Sequence, residues 1–286
     1  MRRVLIATDL DRTLIYSAAA AGLVGDDRPS DVVTVEHLDG RPISFMTTVA
    51  AAMLAELATE QLVVPVTTRT QAQLARVRLP GPPPSYAVAA NGGVLLVDGE
   101  PDSVWAETVR AAVGEAAPLD AAVAALTAVC NLGWAAAPRV AEELFCYVVV
   151  DRTAMPTGAL ARLTDWAHTA GWAVSLQGRK LYLVPAPLTK SAAVAEIARR
   201  AGIEITLAAG DSLLDKDLLL NADRGVRPGH GEIAESGWSV PWVDALPTFG
   251  IRAAEEILAW FAARVTDCTM ANESVRARLP ISNKCE

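Results

Sequence analysis

Residues 4–13 read VLIATDLDRT, and this stretch decides the fold. Its apolar first half is typical of a buried β-strand, and the strand leads directly into Asp9 and Asp11. Two carboxylates one residue apart repel each other, so a buried strand end can hold both only if a cation or a shared proton reduces the repulsion. An acidic turn after a strand is also common, so the rest of the chain must decide between the two interpretations.

The segments that follow repeat the order strand, helix, strand. Apolar spacing predicts helices over residues 47–61 and 69–78 and strands over residues 62–66, 86–90 and 205–209. Repeated units of this kind predict an α/β fold with a doubly wound, Rossmann-like parallel sheet, in which ligands bind just outside the carboxyl ends of the strands. Before the first of these helices, the stretch 14–45 is rich in Asp, Gly and Pro and predicts an irregular excursion above the strand ends.

The middle of the chain has a different pattern of predicted strands and helices. Gly178-Arg179-Lys180 reads as a hairpin turn, which predicts antiparallel pairing of its flanking strands. Strands are predicted over residues 94–97, 144–150, 173–176 and 181–184, and helices over residues 119–129 and 158–170. We therefore predict an inserted α+β cap domain, a discontinuous core and a polar C-terminal tail, with the bounds 94–184 for the cap, 1–93 and 185–265 for the core and 266–286 for the tail.

Composition narrows the class of protein. The chain has 286 residues, a formal net charge of -8 and 52% apolar residues, with no long basic stripe and no uninterrupted apolar stretch of spanning length. We therefore expect neither nucleic acid nor a membrane as partner. Charged residues interrupt the N-terminal apolar run, which argues against an export signal and for a cytoplasmic protein. The four cysteines are scattered along the chain, as expected of reduced thiols, and the three histidines are scattered as well. The choice between a monomer and a homodimer stays open.

Polar residues follow three of the predicted parallel strands. Asp9, Thr67 and Asp211 each stand at a strand's carboxyl end, so we expect them to meet at one edge of the sheet although they are far apart in sequence. An oxygen-only anionic cluster suits a hard divalent ion such as Mg²⁺. The Thr67 hydroxyl and the Lys190 ammonium suit the oxygens of a phosphoryl group. The combination predicts a phosphoryl-transfer site.

Four segments in this order carry a resemblance to a known family. DLDRT at 9–13, VTTR at 66–69, Lys190 and GDSLLD at 210–215 resemble the signature motifs of haloacid-dehalogenase-like (HAD) phosphatases, in the subgroup with a large C2-type, Cof or sucrose-phosphatase-like α/β cap. The resemblance covers about residues 1–265 and extends to the Asn-Gly-Gly element at 91–93. It implies the fold and the activity of that family.

The resemblance also implies residue roles. Asp9 is expected to be the nucleophile and Asp11 the general acid and base. The expected Mg²⁺ ligands are Asp9, Asp211 and the main-chain carbonyl of Asp11. Further expected roles are phosphate binding for Thr67, Thr68 and Lys190 and support of the metal shell or of the lysine for Asp215.

Several residues keep two interpretations or depart from the family pattern. Arg69 is either a structural ion-pair partner or a ligand contact, and Asn91 is either a turn residue or a supporting site residue. Arg179 and Lys180, at the hairpin, are candidates for substrate specificity, whereas Asp217 is expected at the surface. Arg12 and Thr68 stand where many relatives have glycine, and Leu214 stands where asparagine is frequent.

The expected function is that of a Mg²⁺-dependent phosphomonoester hydrolase that forms an aspartyl phosphate, with sugar phosphates as the first substrate class. Two alternatives remain. A phosphosugar mutase uses the same aspartyl phosphate, and a silent protein would bind a phosphate ligand without turnover. A dehalogenase needs neither the second aspartate nor a metal, so it is less favoured.

Overall fold

A computed structural model describes residues 3–23, 30–130 and 133–276. Its central sheet has five strands, β1 (Val4–Thr8), β4 (Leu62–Pro65), β12 (Ile205–Ala209), β13 (Arg224–Arg227) and β14 (Val243–Ala245). They are all parallel and lie in the order β14-β13-β12-β1-β4. The predicted parallel sheet is therefore confirmed, and β1 occupies a central position with a strand on each side.

Alternate residues of β1 face opposite sides of the sheet, as the period of a strand requires. Ile6 lies in the apolar cluster that includes residues of α2 (Thr48–Glu60) and α10 (Ala253–Arg276). Leu5 and Ala7 lie in the other cluster, with residues of α7 (Lys190–Ala201) and α8 (Lys216–Asn221). Helices thus cover both faces, which makes the sheet doubly wound.

A second small sheet extends the core beyond β4. It consists of β5 (Tyr86–Ala89), β6 (Val94–Val97) and β7 (Glu100–Pro101), paired antiparallel, and Val88 of β5 forms a parallel bridge to Val66 next to β4. The helix predicted over residues 69–78 shrinks to one turn, α3 (Gln71–Leu74), which Thr70 caps. The predicted strand at 94–97 is confirmed, and it pairs with β5.

The prediction of an irregular excursion at 14–45 is wrong for most of its length. After the short helix α1 (Ala18–Ala21), the chain forms an antiparallel hairpin of β2 (Val32–Leu38) and β3 (Arg41–Thr47), while residues 24–29 lie outside the described ranges. Asp39 and Gly40 at its tip both have positive φ, at 49° and 74°. An Asp-Gly pair in this conformation favours a tight hairpin turn, and this signal was present in the sequence.

The inserted segment forms a four-stranded antiparallel sheet in the order β10-β11-β9-β8. The strands are β8 (Arg139–Ala141), β9 (Phe145–Val149), β10 (Trp172–Gln177) and β11 (Lys180–Pro185), and the helices of this segment are α4 (Ser103–Val113), α5 (Leu119–Cys130) and α6 (Ala159–Ala170). The predicted antiparallel hairpin is confirmed, since Gln177 pairs with Lys180 across a two-residue turn. Helix α4 and strand β8 were not predicted from the sequence, and the exact domain bounds stay a prediction.

The last described helix continues past the predicted core bound at residue 265. Helix α10 ends at Arg276, so the part of the predicted polar tail that falls within the described ranges is helical. Within those same ranges no helix combines the length and apolarity needed to cross a bilayer.

Candidate active site

Lys190 connects two carboxylates at the edge of the central sheet. Its Nζ donates a hydrogen bond to Asp9 Oδ1 at 2.7 Å and another to Asp215 Oδ1, and its side chain is fully buried. Burial by itself would lower the pKa of Lys190, but Asp215 and Asp9 outweigh it and raise that pKa above its usual value. The lysine therefore stays charged, and the three residues come together from β1, α7 and the loop after β12 as the sequence predicts.

Asp215 has partners at both carboxylate oxygens. While Oδ1 accepts from Lys190, Oδ2 accepts hydrogen bonds from Ser212 N at 2.9 Å, Ser212 Oγ at 2.7 Å and Asp211 N at 3.2 Å. A Cβ at Gly210 would lie 2.4 Å from Asp215 Cβ, so only glycine allows this approach. Because its oxygens are engaged in this way, Asp215 is built to orient Lys190 and the Asp211 loop.

Three buried carboxylates, Asp9, Asp211 and Asp215, have oxygens within 4.8 Å of one another. Burial, together with repulsion from Asp215 and Asp11 and against the attraction of Lys190, raises the pKa of Asp9 to about 7. Burial and the charges of Asp9 and Asp215 raise the pKa of Asp211 well above its usual value. Such repulsion between oxygen ligands is what a divalent cation relieves, so the donor set fits Mg²⁺.

The start of α9 (Glu232–Glu235) and the residue before it contact Asp211. Ile233 N donates to the Asp211 carbonyl at 3.1 Å, and Gly231, with a φ of 94°, comes so close that a Cβ there would lie 2.6 Å from Asp211 Oδ2. Arg12 Nε lies 3.4 Å from the same oxygen of Asp211. Within the described ranges this is the one ion pair of the Asp211 carboxylate, and an oxygen of it lies within 4.8 Å of oxygens of Asp9 and Asp215.

Arg69 binds the carboxylate of Asp11 through two hydrogen bonds. Its Nε donates to Asp11 Oδ2 at 2.7 Å and its Nη2 donates to Oδ1 at 2.8 Å. The surrounding protein acts to raise the pKa of Asp11, but the hydrogen bonds and charge of Arg69 outweigh it and hold that pKa below its usual value. The interpretation of Arg69 as an ion-pair partner therefore holds, and its partner is a residue of the site.

Thr67 is buried behind these charged groups. Its hydroxyl accepts a hydrogen bond from Arg69 N at 3.1 Å, and its own N–H donates to Val88 O at 2.9 Å. Thr68 Oγ1 lies 3.5 Å from Gln177 Oε1 across the gap to the inserted sheet. Both threonines thus lie at the predicted edge of the sheet, and their phosphate-binding role stays a prediction.

Asn91 and Gly92 fasten the chain ahead of Lys190. Asn91 has a φ of 56° and donates from Nδ2 to Leu188 O at 2.8 Å, and its buried Oδ1 has no hydrogen-bond partner among the described residues. A Cβ at Gly92 would lie 2.1 Å from Thr189 O. The Asn-Gly element therefore positions the start of the helix that carries Lys190, which is a supporting role.

The hairpin candidates Arg179 and Lys180 lie differently. Arg179 is exposed, whereas Lys180 is half-buried with its Nζ 5.7 Å from the centre of the Tyr147 ring. Burial acts to lower the pKa of Lys180, yet nearby Tyr182 and Asp11 outweigh it and raise that pKa. Lys180 therefore directs its charge toward the site, and the specificity role of both residues stays a prediction.

The expected surface position of Asp217 is wrong. Its Oδ2 accepts a hydrogen bond from Ser191 N at 2.8 Å, and burial raises its pKa above the usual value. It lies on α8 and binds the first turn of α7, where unpaired N–H groups attract a carboxylate. Asp217 thus helps to fix the helix that begins with Lys190.

No protein-family model and no curated protein sequence matches this chain. Solved structures do. A sucrose-phosphatase from Synechocystis sp. PCC6803, in complex with sucrose and phosphate, superposes with a TM-score of 0.60 and 18% identity over 92% of this chain and 99% of that one. The C-terminal domain of trehalose-6-phosphate phosphatase from C. albicans gives 0.56 and 14% over 92% of each chain. A subclass IIB sugar phosphatase of the HAD superfamily gives 0.51 and 16% over 85% and 93%.

The fold is that of the HAD phosphatases. The resemblance seen in the four sequence motifs is therefore confirmed at the level of architecture, including the parallel core and the inserted cap. At this level of identity the likeness establishes the fold, and the chemistry must be argued from the residues of the site.

Within the HAD-like fold, two residues that the sequence did not reveal bring the cap onto the core. Gln177 Nε2 donates to Ser212 Oγ at 2.8 Å. Glu232 accepts from Ser175 Oγ at 2.6 Å and Leu176 N at 2.7 Å in the cap, and from Leu213 N at 3.1 Å in the core. These contacts join segments far apart in sequence, and no local pattern marks them.

The cap is closed onto the core at this place. A space of about 10 Å³ remains between Gln177, Asp211 and Gly231, and a volume of that size holds at most one water molecule. A larger cavity of about 440 Å³ lies elsewhere, against Pro65 and Leu74, and contains none of the acidic residues of the site. The space between Gln177 and Asp211 is therefore too small for a phosphate ester.

Proposed function

We propose that this protein is a Mg²⁺-dependent phosphomonoester hydrolase that works through an aspartyl phosphate on Asp9. The observation that carries the proposal is the meeting of Lys190 with Asp9 and Asp215, beside Asp211. A buried lysine next to a carboxylate cluster offers both a cation for phosphoryl oxygens and ligands for a metal. The four motifs and the HAD-like fold support the same conclusion.

In the first half-reaction, an oxygen of the Asp9 carboxylate attacks phosphorus while the bond from phosphorus to the ester oxygen breaks. Lys190 keeps Asp9 oriented and neutralises charge that spreads over the phosphoryl oxygens. Thr13 Oγ1 donates to Asp9 Oδ2 at 3.2 Å and helps to fix the carboxylate. Asp11 donates a proton to the departing oxygen, and the products are an alcohol and phosphorylated Asp9.

In the second half-reaction, water attacks phosphorus and releases inorganic phosphate from Asp9. Asp11 accepts the proton of that water. Arg69 keeps the pKa of Asp11 below its usual value, which suits a base. A bound phosphate dianion beside Asp11 acts in the opposite direction and raises the pKa, which supplies the protonated form for the first half-reaction.

The residues that would hold Mg²⁺ are Asp9, Asp211 and the main-chain carbonyl of Asp11. When bound, the ion supplies positive charge for the phosphoryl oxygens. We assign Asp215 to the support of Lys190, because its two oxygens accept four hydrogen bonds, whereas each oxygen of Asp9 accepts one.

The proposed substrates are small phosphate esters, with sugar phosphates first. The solved structures of sucrose-phosphatase and trehalose-6-phosphate phosphatase share the fold, and the cap contacts the core beside Asp211 through Gln177 and Glu232. We also propose a cytoplasmic location, where buried free thiols such as Cys146 persist, and either a monomer or a homodimer in solution.

A substrate panel tests the proposal. Purified protein is incubated with sugar, polyol and nucleotide phosphates, with Mg²⁺ or with excess chelator, and both free phosphate and isomerised ester are measured. We expect phosphate release that needs Mg²⁺ and is strongest with a sugar or polyol phosphate. Isomer formation without phosphate release would identify a mutase. Ester binding without turnover would identify a silent binding protein, and either result overturns the proposal.

A further inference from the structure

Glu36 on β2 is a fully buried carboxylate. Its side chain is 0% exposed, and it accepts hydrogen bonds from Ser44 Oγ at 2.6 Å and Arg69 Nη1 at 2.7 Å. Arg76 Nη2 lies 3.1 Å from its other oxygen. A buried charge is costly unless it is paired and hydrogen-bonded on all sides, and Glu36 meets this requirement by holding two arginines.

Arg69 is shared between Glu36 and Asp11. One nitrogen of its guanidinium bonds Glu36, and the other two bond the carboxylate of Asp11. The planar guanidinium fixes the angle between its partners, which a lysine could not do. The Asp11 side chain is 44% exposed and accepts no other hydrogen bond within the described ranges. Its orientation therefore depends on Arg69.

The hairpin that carries Glu36 is itself fixed next to Arg69. Arg78 N donates to Val35 O at 2.7 Å, and Glu36 forms a bridge with Val77, so β2 pairs with the segment after α3. Ser44 on β3 lies opposite Glu36 and also approaches Arg69 Nη2 at 3.3 Å. The hairpin thus presents Glu36 and Ser44 to the guanidinium from a rigid, paired element.

Charge in this group is balanced. Glu36 and Asp11 carry two negative charges, and Arg69 and Arg76 carry two positive ones. Arg76 already pairs with one oxygen of Glu36, and Arg69 connects the other oxygen to Asp11. Glu36 therefore fixes the guanidinium that in turn fixes the carboxylate of Asp11.

We infer that Glu36 is a positioning residue for proton transfer by Asp11, and that it acts through Arg69. The inference rests on the proposed function, because it assigns Asp11 the role of general acid. It adds the β2–β3 hairpin to the parts of the chain that determine activity.

The test compares two esters of similar shape, phenyl phosphate and 4-nitrophenyl phosphate. Nitrophenolate leaves without a proton, whereas phenolate depends more on a general acid. The value of kcat/KM reports the first half-reaction only, so it isolates the step in which Asp11 gives its proton. In Glu36→Gln we expect kcat/KM for phenyl phosphate to fall about tenfold more than for 4-nitrophenyl phosphate, which is a part of the usual contribution of a general acid.

A double variant separates positioning from general structural damage. If Glu36 acts through Asp11, Glu36→Gln has little further effect on phenyl phosphate in an Asp11→Asn background, because the acid is already lost. The matched control is Glu196→Gln, since Glu196 also pairs with two arginines, Arg199 and Arg200, but lies outside the site. We expect it to leave kcat/KM for both esters unchanged.

Thermal unfolding shows whether each variant is folded. If Glu36→Gln does not fold, Ser44→Ala removes one hydrogen bond to Glu36 and takes its place, with a smaller loss in the same direction. Equal losses for the two esters, or additive losses in the double variant, would overturn the inference while leaving the proposed function intact. A wild-type protein that hydrolyses neither these two esters nor any sugar, polyol or nucleotide phosphate of the panel would overturn both.

Discussion

Burial and the neighbouring carboxylates raise the pKa of Asp9 to about 7, so the neutral form of this side chain is favoured. We expect Asp9→Asn to abolish turnover, since the amide cannot attack phosphorus. The same change removes a buried charge, so the metal-free variant should be at least as stable as the wild type at pH 8. Phosphate release and thermal unfolding check the two parts. Wild-type activity in this variant would exclude Asp9 as the nucleophile.

The raised pKa of Asp9 also sets a pH dependence. Between the unfolded value near 3.8 and the folded value of about 7, the folded state binds more protons, so this group makes metal-free protein less stable as pH rises through that window. Mg²⁺ binds the ionised form. We therefore expect Mg²⁺ to raise the Tm more at pH 8 than at pH 5. In Asp9→Asn the difference between the two pH values should shrink, and an equal Mg²⁺ effect at both values in the wild type would contradict this assignment.

At the scale of elements, the contact of Gly92 with the segment before α7 positions Lys190. A methyl group in Gly92→Ala meets Thr189 O at 2.1 Å, so the start of the helix must move. Gly99→Ala is a matched control, because Gly99 also has a positive φ, of 88°, but nothing lies within 4 Å of its Cβ position. We expect Gly92→Ala to lower the free energy of unfolding by about 2 kcal/mol more than Gly99→Ala.

Activity gives the second readout of this pair. Gly92→Ala should also lower kcat at least several-fold, because Lys190 shifts relative to Asp9, whereas Gly99→Ala should retain wild-type kcat. Denaturant unfolding and steady-state kinetics measure the two effects. Equal stability and activity in the two variants would show that the Asn-Gly element does not position the lysine.

Elements with strong periodic patterns were predictable from the sequence. The parallel strands, α2 and the cap hairpin follow from apolar spacing and turn residues, and the strand ends led to Asp9, Thr67 and Asp211. The hairpin of β2 and β3 was not predicted, because the many Asp, Gly and Pro residues of 14–45 favour irregular structure. Asp39-Gly40 is nevertheless a signal for a hairpin turn. The role of Glu36 could not be predicted, because its partners lie 33 and 40 positions away.

The backbone strain at Arg12 could not be predicted from the sequence either. Arg12 has a φ of 64°, the left-handed region that favours glycine. This gives a physical reason for the glycine that many relatives of the motif carry here. The arginine accepts that conformation and places its Nε near Asp211.

At the scale of the whole molecule, Glu232 holds the cap on the core. In Glu232→Ala the amides of Leu176 and Leu213 lose their acceptor, so we expect their hydrogen exchange to become about tenfold faster. Glu235→Ala is the control, because Glu235 is exposed and pairs only loosely with Arg152, at 3.9 Å. Exchange at both amides that stays as slow as in the wild type would show that other contacts close the cap.

The central claim is that Asp9 carries the phosphoryl group, and mass spectrometry of the trapped protein tests it most directly. Asp11→Asn slows the attack of water, so this variant is incubated with 4-nitrophenyl phosphate and Mg²⁺, quenched in acid and digested. We expect one added phosphoryl group on the peptide that contains Asp9, and none when Asp9 is also replaced by Asn. A peptide that stays unmodified while nitrophenol is released, or a phosphoryl group on another residue, would contradict the account.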